Sequence, residues 1–217
     1  MARVNVMRSY PRAKRALDER AKLIKEEHRE IARQFDERFF DGDRLYGYGG
    51  YRYDGRWKPV VRDFKEDYGL AEDCSILDVG AGKGFMMHDF MESMPKAVVK
   101  GIDISEYAVS KAEGIAAPHL TVGNACELPF PDNSFDLVIS INTVHNLPLD
   151  ECKQALREIM RVTRRDAFIV VDSWTNEEEE RRMKAWNLTA LTYMHADDWE
   201  HLFQDVGYTA DWDWFIP

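Results

Sequence analysis

From Ser75 onward, short apolar runs alternate with stretches in which apolar side chains recur at helical spacing. Short apolar runs bounded by turn residues are typical of buried strands, and helical spacing is typical of amphipathic helices. The runs predict strands at 76–79, 98–102, 119–122, 135–140, 167–172 and 209–215. The intervening stretches predict helices at 85–94, 106–112, 150–162, 177–190 and 197–206. This alternation predicts a parallel α/β sheet that is doubly wound, with helices on both faces.

The N-terminal part of the chain has a different pattern. Between Arg12 and Phe39, apolar positions recur at helical spacing among many charges, which predicts one amphipathic helix that packs across the domain. A basic arm that binds phosphates is the weaker alternative, because acidic residues interleave with the basic ones. We therefore divide the chain into an N-terminal helical arm and lid over residues 1–58 and a main domain over 59–217.

Residues 41–58 combine tyrosines with glycines. Glycine lets the backbone approach a ligand closely, and tyrosine offers a flat apolar face with a polar end. One interpretation is a lid or pocket wall that contacts a substrate; the other is a surface loop whose aromatic rings attach the N-terminal helix to the core. The first interpretation makes substrate-binding candidates of Tyr46, Tyr48, Tyr51, Tyr53 and Trp57.

Composition narrows the classes of partner. The chain has 217 residues, and 29 Lys and Arg against 39 Asp and Glu give a net charge of -10, which argues against a nucleic-acid partner. Its 3 cysteines are widely spaced, so we expect neither a disulfide framework nor a zinc cluster, and the acidic residues form no recognisable metal triad. No apolar run is long enough for a membrane helix and the N-terminus lacks the apolar core of a signal peptide, so we expect a cytoplasmic protein.

The strongest motif is ILDVGAGKGF at residues 76–85, where the first predicted strand runs into Gly80, Gly82 and Gly84. Bare backbone in such a turn can pass close under a nucleoside, and free N–H groups at the next helix start favour an anionic group. A dinucleotide fingerprint would need glycine at the position of Phe85, so the spacing argues against a nicotinamide cofactor.

The second predicted strand ends in Asp103. A carboxylate at this position can accept hydrogen bonds from both hydroxyls of a ribose. The alternative is that Asp103 caps the following helix, a role that Ser105 could also fill.

In this order the motifs resemble those of class I S-adenosylmethionine-dependent methyltransferases over roughly residues 70–172. The resemblance implies an enzyme with a Rossmann-like methyltransferase fold and S-adenosyl-L-methionine as its cofactor. The three glycines would then underlie the methionine part, with Asp78 near its ammonium group. Many relatives carry Asp where this chain has Asn124. Further cofactor contacts would come from residues that follow the second, third and fourth strands: Asp103, Ile104, Asn124, Ala125 and Ile141.

The family places catalytic groups after the fourth strand, where this chain has Asn142 and His145. A histidine with an ordinary pKa of about 6.5 suits proton removal from an acceptor near neutrality. The alternatives are a hydrogen-bonded structural role for His145 and a substrate-positioning role for Asn142. The (N/D)PPY signature of amino-methylating DNA enzymes is absent, which again argues against nucleic acid.

Aromatic residues behind the fifth strand complete the predicted acceptor pocket: Trp174, Trp186 and Tyr193. The whole-chain pattern also resembles small stand-alone bacterial methyltransferases, which implies O- or N-methylation of a small polar metabolite, for example a sugar-related one. Two alternatives stay open: transfer of an aminopropyl group, and a non-catalytic S-adenosylmethionine-binding sensor or partner subunit.

Only ten residues follow Gly207, whereas relatives usually end in two antiparallel strands. A shortened end leaves one edge of the sheet exposed, and an exposed edge is a site for pairing with another strand. We expect this edge to be covered either by a second copy in a homodimer or by the N-terminal arm.

Overall fold

The computed structural model of the protein describes residues 2–11, 17–49 and 51–217. Its sheet has the strand order β3-β2-β1-β4-β5, and both β6 and β7 pair with the outer edge of β5. Every strand pairing in the described part of the chain is parallel. The strands are β1 (Ser75–Val79), β2 (Val98–Asp103), β3 (Leu120–Val122), β4 (Phe135–Ile141), β5 (Thr163–Trp174), β6 (Met194–His195) and β7 (Asp211–Phe215). The prediction of a parallel, doubly wound sheet is therefore confirmed.

Helices cover both faces of the sheet. One face carries a cluster that includes Leu156 and Trp199, and the other carries a cluster that includes Phe64 and Phe90. Because both faces are covered, the central strands are apolar on both sides, which is why they appear in the sequence as continuous apolar runs. The helices are α1 (Leu17–Leu23), α2 (Glu26–Ala32), α3 (Glu37–Asp41), α4 (Lys58–Asp67), α5 (Phe85–Ser93), α6 (Glu106–Ser110), α7 (Leu149–Val162), α8 (Glu177–Trp186) and α9 (Ala196–Val206).

The prediction of one continuous helix over 12–39 is wrong. Residues 12–16 lie outside the described residues, and the rest of the segment forms α1, α2 and α3. Phe35 adopts a left-handed φ of 49°, which interrupts helical geometry, and the Asp36 side chain accepts from the N–H of Arg38 to start α3 anew. Ile24, Ala32 and Phe39 are buried and pack in a third cluster with Ala108 and Leu188. Ala21 and Leu23 are exposed, so only part of the predicted apolar face is buried.

The C-terminal edge of the sheet holds one strand, β7, instead of an antiparallel hairpin. β7 lies parallel to β5 in the register Phe168 with Asp211 to Asp172 with Phe215. Residues 2–4 pair with its outer side: the N–H of Val4 donates to the Trp212 carbonyl at 3.0 Å, and the Trp212 N–H donates to the Ala2 carbonyl at 3.1 Å. The N-terminal segment thus covers part of this edge, and a homodimer stays a prediction.

Candidate functional site

An open cleft of about 1870 Å³ lies where the carboxyl ends of β1, β2, β4 and β5 meet the N-terminal segment. A doubly wound sheet binds ligands at this edge, beside the point where strand order reverses. Fourteen of the residues predicted from sequence line it: Tyr48, Tyr51, Trp57, Asp78, Gly80, Gly82, Asp103, Ile104, Asn124, Ala125, Ile141, Asn142, His145 and Trp186. We call Asp78, Gly80, Gly82 and Asp103 the glycine half of the cleft, and Tyr48, His145, Asn146, Asp172 and Thr189 the tyrosine half.

The turn after β1 requires glycine on both conformational and steric grounds. Gly80 and Gly82 have φ values of 81° and 57°, in the left-handed region that other residues rarely adopt. A Cβ at Gly80 would overlap the side chain of Thr143. The packing of the end of β1 against the segment after β4 therefore leaves no room for a side chain at Gly80.

Asp103 ties this turn to the end of β2. Its two carboxylate oxygens accept from the N–H of Gly82 at 2.7 Å and the N–H of Ser105 at 2.8 Å. Burial raises the pKa of Asp103, although both N–H donors oppose that shift. The helix-capping alternative belongs to Ser105, whose hydroxyl accepts from the N–H of Ala108. Each Asp103 oxygen keeps acceptor capacity toward the cleft.

Asp78 lies beneath the turn and is only 5% exposed. Its carboxylate accepts no hydrogen bond from the described residues, and burial together with the charge of Asp103 raises its pKa to about 7. An ionised carboxylate buried without a partner is costly, so a cationic ligand group beside Asp78 would be stabilising.

The segment over residues 17–49 and 51–57, which we call the cap, is attached to the glycine half by polar contacts. The ammonium of Lys83, from the turn itself, donates to both carboxylate oxygens of Asp41 at 2.7 Å and to the carbonyl of Tyr51 at 3.1 Å. The hydroxyl of Tyr107 also donates to Asp41, at 2.8 Å. Lys83 is buried, so this charge-assisted pair fixes the cap directly over the turn.

The other end of the cap is attached to the tyrosine half. The Tyr48 hydroxyl accepts from the N–H groups of Leu188 at 2.8 Å and Thr189 at 3.1 Å. The hydroxyl of Thr189 donates to the side-chain oxygen of Asn146 at 2.8 Å. The Tyr48 ring also stacks on Trp186, with ring centroids 5.2 Å apart. The cap therefore lines the cleft and also packs on the core, and contact of its tyrosines with a substrate stays a prediction.

His145 is 3% exposed and its ring has a defined hydrogen-bond partner. Its Nδ1 accepts from the backbone N–H of Asp172 at 2.8 Å, so the neutral ring carries its proton on Nε2. Nε2 lies 3.8 Å from the Asp172 carboxylate. Burial lowers the pKa of His145, and the charge of Asp172 opposes that shift. In this arrangement no ring nitrogen offers a free lone pair to a substrate, and a base role for His145 stays a prediction.

Five predicted site residues lie outside the lining of this cleft. Gly84 is the N-cap residue of α5, and a Cβ there would come within 3.2 Å of Ala116. The absence of a side chain at Gly84 therefore allows close packing at the start of the helix. The hydroxyl of Tyr53 donates to the buried Asp89 of α5 at 2.6 Å. The remaining three have aromatic partners elsewhere, since Tyr46 lies against His28 and Trp174 packs edge-on against Tyr193.

Asp172 and the Lys83–Asp41 pair are site features that the sequence prediction missed. Asp172 lies near the end of β5, as Asp78 and Asp103 lie near the ends of β1 and β2. This shared position at a strand end could have identified Asp172 as a site residue from the sequence. The pairing of Lys83 with Asp41 joins positions 42 residues apart and had no signal in the spacing.

A possible metal-ligand group in the described part of the chain lies on α5, away from the cleft lining. Single ligand atoms of His88, Asp89 and Glu92 lie within 4.8 Å of one another. Glu92 already pairs with Lys58 at 2.9 Å, and Asp89 accepts from Tyr53. None of the described helices is long and apolar enough to span a bilayer.

Residues 77–171, from β1 to β5, match a protein family described as a methyltransferase domain. The fold is also similar to the crystal structure of the YcgJ protein from Bacillus subtilis, with a TM-score of 0.56 at 21% identity, over 67% of this chain and 66% of that one. These comparisons support a class I S-adenosylmethionine-dependent methyltransferase domain over residues 77–171. The resemblance stated from sequence is thereby confirmed, and methyltransferases of this class use S-adenosylmethionine as methyl donor.

Two curated relatives are similar to this chain over a longer stretch than residues 77–171. It is 28% identical over 193 residues to a 2-methyl-6-phytyl-1,4-hydroquinone methyltransferase from Synechocystis, which covers 79% of this chain and 59% of the relative. It is 29% identical over 191 residues to the demethylmenaquinone methyltransferase of Symbiobacterium thermophilum, which covers 71% of this chain and 76% of the relative. The chain thus spans less than two thirds of the length of the Synechocystis protein.

Proposed function

We propose that this protein transfers a methyl group from S-adenosylmethionine to a small polar acceptor that binds in the tyrosine half of the cleft. One observation carries the proposal: a single cleft joins a glycine turn and two buried carboxylates to a wall of aromatic and hydrogen-bonding side chains. The first set suits a cationic nucleoside, and the second suits a molecule with polar groups at fixed positions.

The residues of the glycine half fit the cofactor in shape and charge. Asp78 offers an unpartnered buried carboxylate to the ammonium of its methionine part. Gly80 and Gly82 leave the turn free of side chains, and Asp103 keeps acceptor capacity for the two ribose hydroxyls. Asn124 accepts from the N–H of Cys126 through its oxygen, so its amide NH₂ stays available for the edge of adenine.

Bound S-adenosylmethionine supplies an electrophilic methyl group on a positively charged sulfur. The task of the chain is then to align an acceptor and to exclude water. The cap does the second, because its contacts to Lys83 at one end and to Leu188 and Thr189 at the other hold it over the cleft. The hydrogen-bonded side chains Tyr48, Thr189 and Asn146 orient the acceptor.

The substrate names of the relatives do not single out the acceptor, since one name refers to a phytyl hydroquinone and the other to demethylmenaquinone. The lining of the tyrosine half favours a smaller and more polar molecule. A sugar-related acceptor fits that description because its hydroxyl groups make it polar. Whether oxygen or nitrogen receives the methyl group depends on the chemistry of the acceptor.

Isothermal titration calorimetry with S-adenosylhomocysteine tests the cofactor site. We expect binding to the wild-type protein and none of NAD. Asp103→Ala should weaken binding by roughly 1.5–3 kcal/mol, the scale of charge-assisted hydrogen bonds. The matched control is Asp73→Ala, which removes an exposed carboxylate just before β1. Equal affinity of both variants would remove Asp103 from the cofactor site.

A screen of metabolite extracts with methyl-labelled S-adenosylmethionine tests the reaction. Label in a product whose mass increases by one methylene unit supports methyl transfer. A product that carries the mass of an aminopropyl group, or cofactor binding without any product, would instead support the two alternatives.

A further inference from the structure

We infer that the acceptor is an amine, that its ammonium form binds the carboxylate of Asp172, and that this carboxylate takes the proton which the nitrogen loses before methyl transfer. The inference rests on the proposed function and narrows its acceptor from a polar molecule to a cationic one. It also assigns a role to a buried group that the cofactor site does not use.

Asp172 is a buried carboxylate on the cleft without a cationic partner. It lies near the carboxyl end of β5, is 4% exposed, and lines the cleft. In the described part of the chain no N–H or O–H group donates to its carboxylate, and no Lys or Arg lies within 4.0 Å of it. Burying an ionised carboxylate without a partner costs several kcal/mol. A ligand with a positive charge at this position would remove that cost.

His145 does not supply the missing charge. Its Nδ1 accepts from the Asp172 N–H, and its Nε2 lies 3.8 Å from the Asp172 carboxylate. Burial lowers the pKa of His145, which keeps the ring neutral near pH 7. The ring therefore holds the backbone of Asp172 in place, and the pair as a whole retains the negative charge of the carboxylate.

An aromatic wall stands beside this charge. The ring of Tyr48 stacks on Trp186, and burial together with the charge of Asp172 raises the pKa of Tyr48 to about 12, so its hydroxyl stays protonated. The guanidinium of Arg20 lies 5.0 Å from the Trp186 ring and 5.7 Å from the Tyr48 ring, so the pair already accepts one cation. Aromatic faces next to a carboxylate recognise ammonium groups by cation–π and charge attraction.

The proposed reaction consists of a proton transfer and a methyl transfer. The acceptor enters as R–NH₃⁺ and gives one proton to the Asp172 carboxylate, which leaves a nitrogen lone pair. That lone pair forms the N–CH₃ bond while the S–CH₃ bond of the donor breaks, and the electron pair of the broken bond remains on sulfur. The product leaves as R–NH₂⁺–CH₃, and the protonated Asp172 returns its proton to solvent. Burial raises the pKa of Asp172, which favours this proton uptake.

The test uses the smallest probes that carry the relevant chemistry, methylammonium chloride and methanol. Each is titrated into protein saturated with S-adenosylhomocysteine at constant ionic strength. The NMR signal of the Trp199 indole N–H is the reporter, because this group donates to the Asp172 carbonyl at 3.0 Å. We expect a saturable shift with methylammonium and none with methanol. Asp172→Asn should weaken methylammonium binding by about 10–100-fold, and Glu151→Gln, which neutralises an exposed carboxylate on the same cleft, should leave it unchanged.

Each other outcome overturns the inference. These outcomes are no saturable binding of methylammonium, equal binding of methanol, or equal binding of methylammonium to Asp172→Asn. If Asp172→Asn weakens S-adenosylmethionine but not S-adenosylhomocysteine, the carboxylate faces the sulfonium and the amine inference is wrong.

Two further arms keep the test decisive. The methylammonium titrations are repeated on protein without S-adenosylhomocysteine. If S-adenosylhomocysteine itself does not bind, that result contradicts the proposed function, and the titration of the free protein still tests the amine inference. If Asp172→Asn does not fold, the comparison of methylammonium with methanol binding to the wild-type protein still tests the inference.

Discussion

The two halves of the cleft are built by different means. The glycine half uses backbone and carboxylates from two consecutive strand ends, within residues 78–103. The tyrosine half joins side chains from segments far apart in sequence: Tyr48 contacts Leu188 and Thr189 across 140 and 141 residues, and Thr189 contacts Asn146 across 43. A local backbone motif leaves little freedom for change, whereas side chains assembled from separate segments can change independently of one another.

Glycine substitutions in and away from the glycine half should give the largest difference. Gly80→Ala places a Cβ on Thr143 and forces a left-handed φ, so we expect loss of S-adenosylhomocysteine binding by more than about 100-fold and a clear drop in the melting temperature. Gly69→Ala is the matched control, because Gly69 also has positive φ but nothing lies within 4 Å of its Cβ position. Gly69→Ala should lower the free energy of unfolding by only about 1 kcal/mol and leave S-adenosylhomocysteine binding intact. Intact cofactor binding in Gly80→Ala would show that the glycine half does not depend on bare backbone at this turn.

The charge of Asp78 should make cofactor binding depend on pH. Its pKa of about 7 in the free protein means that the carboxylate is largely protonated at pH 6, whereas the ammonium of the ligand favours the ionised form. Affinity for S-adenosylhomocysteine should therefore rise by up to about tenfold between pH 6 and 7.5, measured by calorimetry. Asp78→Asn should bind about 10–100-fold more weakly at pH 7.5 and lose the pH dependence. A variant that retains the wild-type profile would assign the titration to another group.

The same group should affect stability with the opposite sign. Because the folded-state pKa of Asp78 lies above its unfolded value, ionisation favours the unfolded chain. The contribution of Asp78 to the free energy of unfolding therefore decreases as pH rises from about 4 to 7 and changes little above that range. Urea unfolding of the wild type and Asp78→Asn across this range checks the sign: the free energy of unfolding of the wild type should fall relative to that of the variant as the pH rises.

His145→Asn should have the smallest effect, which would sharpen the account of the tyrosine half. The side-chain oxygen of asparagine can take the place of Nδ1 and accept from the Asp172 N–H. If His145 only positions Asp172, the turnover of the amine acceptor should fall less than about tenfold. A fall of about 10²–10⁴-fold with loss of the acidic limb of the pH profile would instead identify a general base. Thermal unfolding of the variant controls for damage to the fold.

The sheet and the glycine half could be predicted from sequence because their signals are local. Apolar runs marked the main strands, and the spacing of the glycines marked the turn. The arm could be predicted only as an amphipathic pattern, since the left-handed φ of Phe35 that breaks the helix depends on packing. The tyrosine half could be predicted only as a set of residue types. Its arrangement depends on hydrogen bonds between distant segments, and Tyr53 contacts Asp89 although Tyr48, in the same motif, lines the cleft.

A crystal structure with S-adenosylhomocysteine bound would show whether Asp78 and Asp103 hold the two ends of the cofactor. The account predicts the ligand ammonium within hydrogen-bond distance of Asp78, both ribose hydroxyls on Asp103, and the sulfur directed toward Asp172 and Tyr48 across the cleft. A ligand bound elsewhere, or one whose ribose and ammonium avoid both carboxylates, would contradict it.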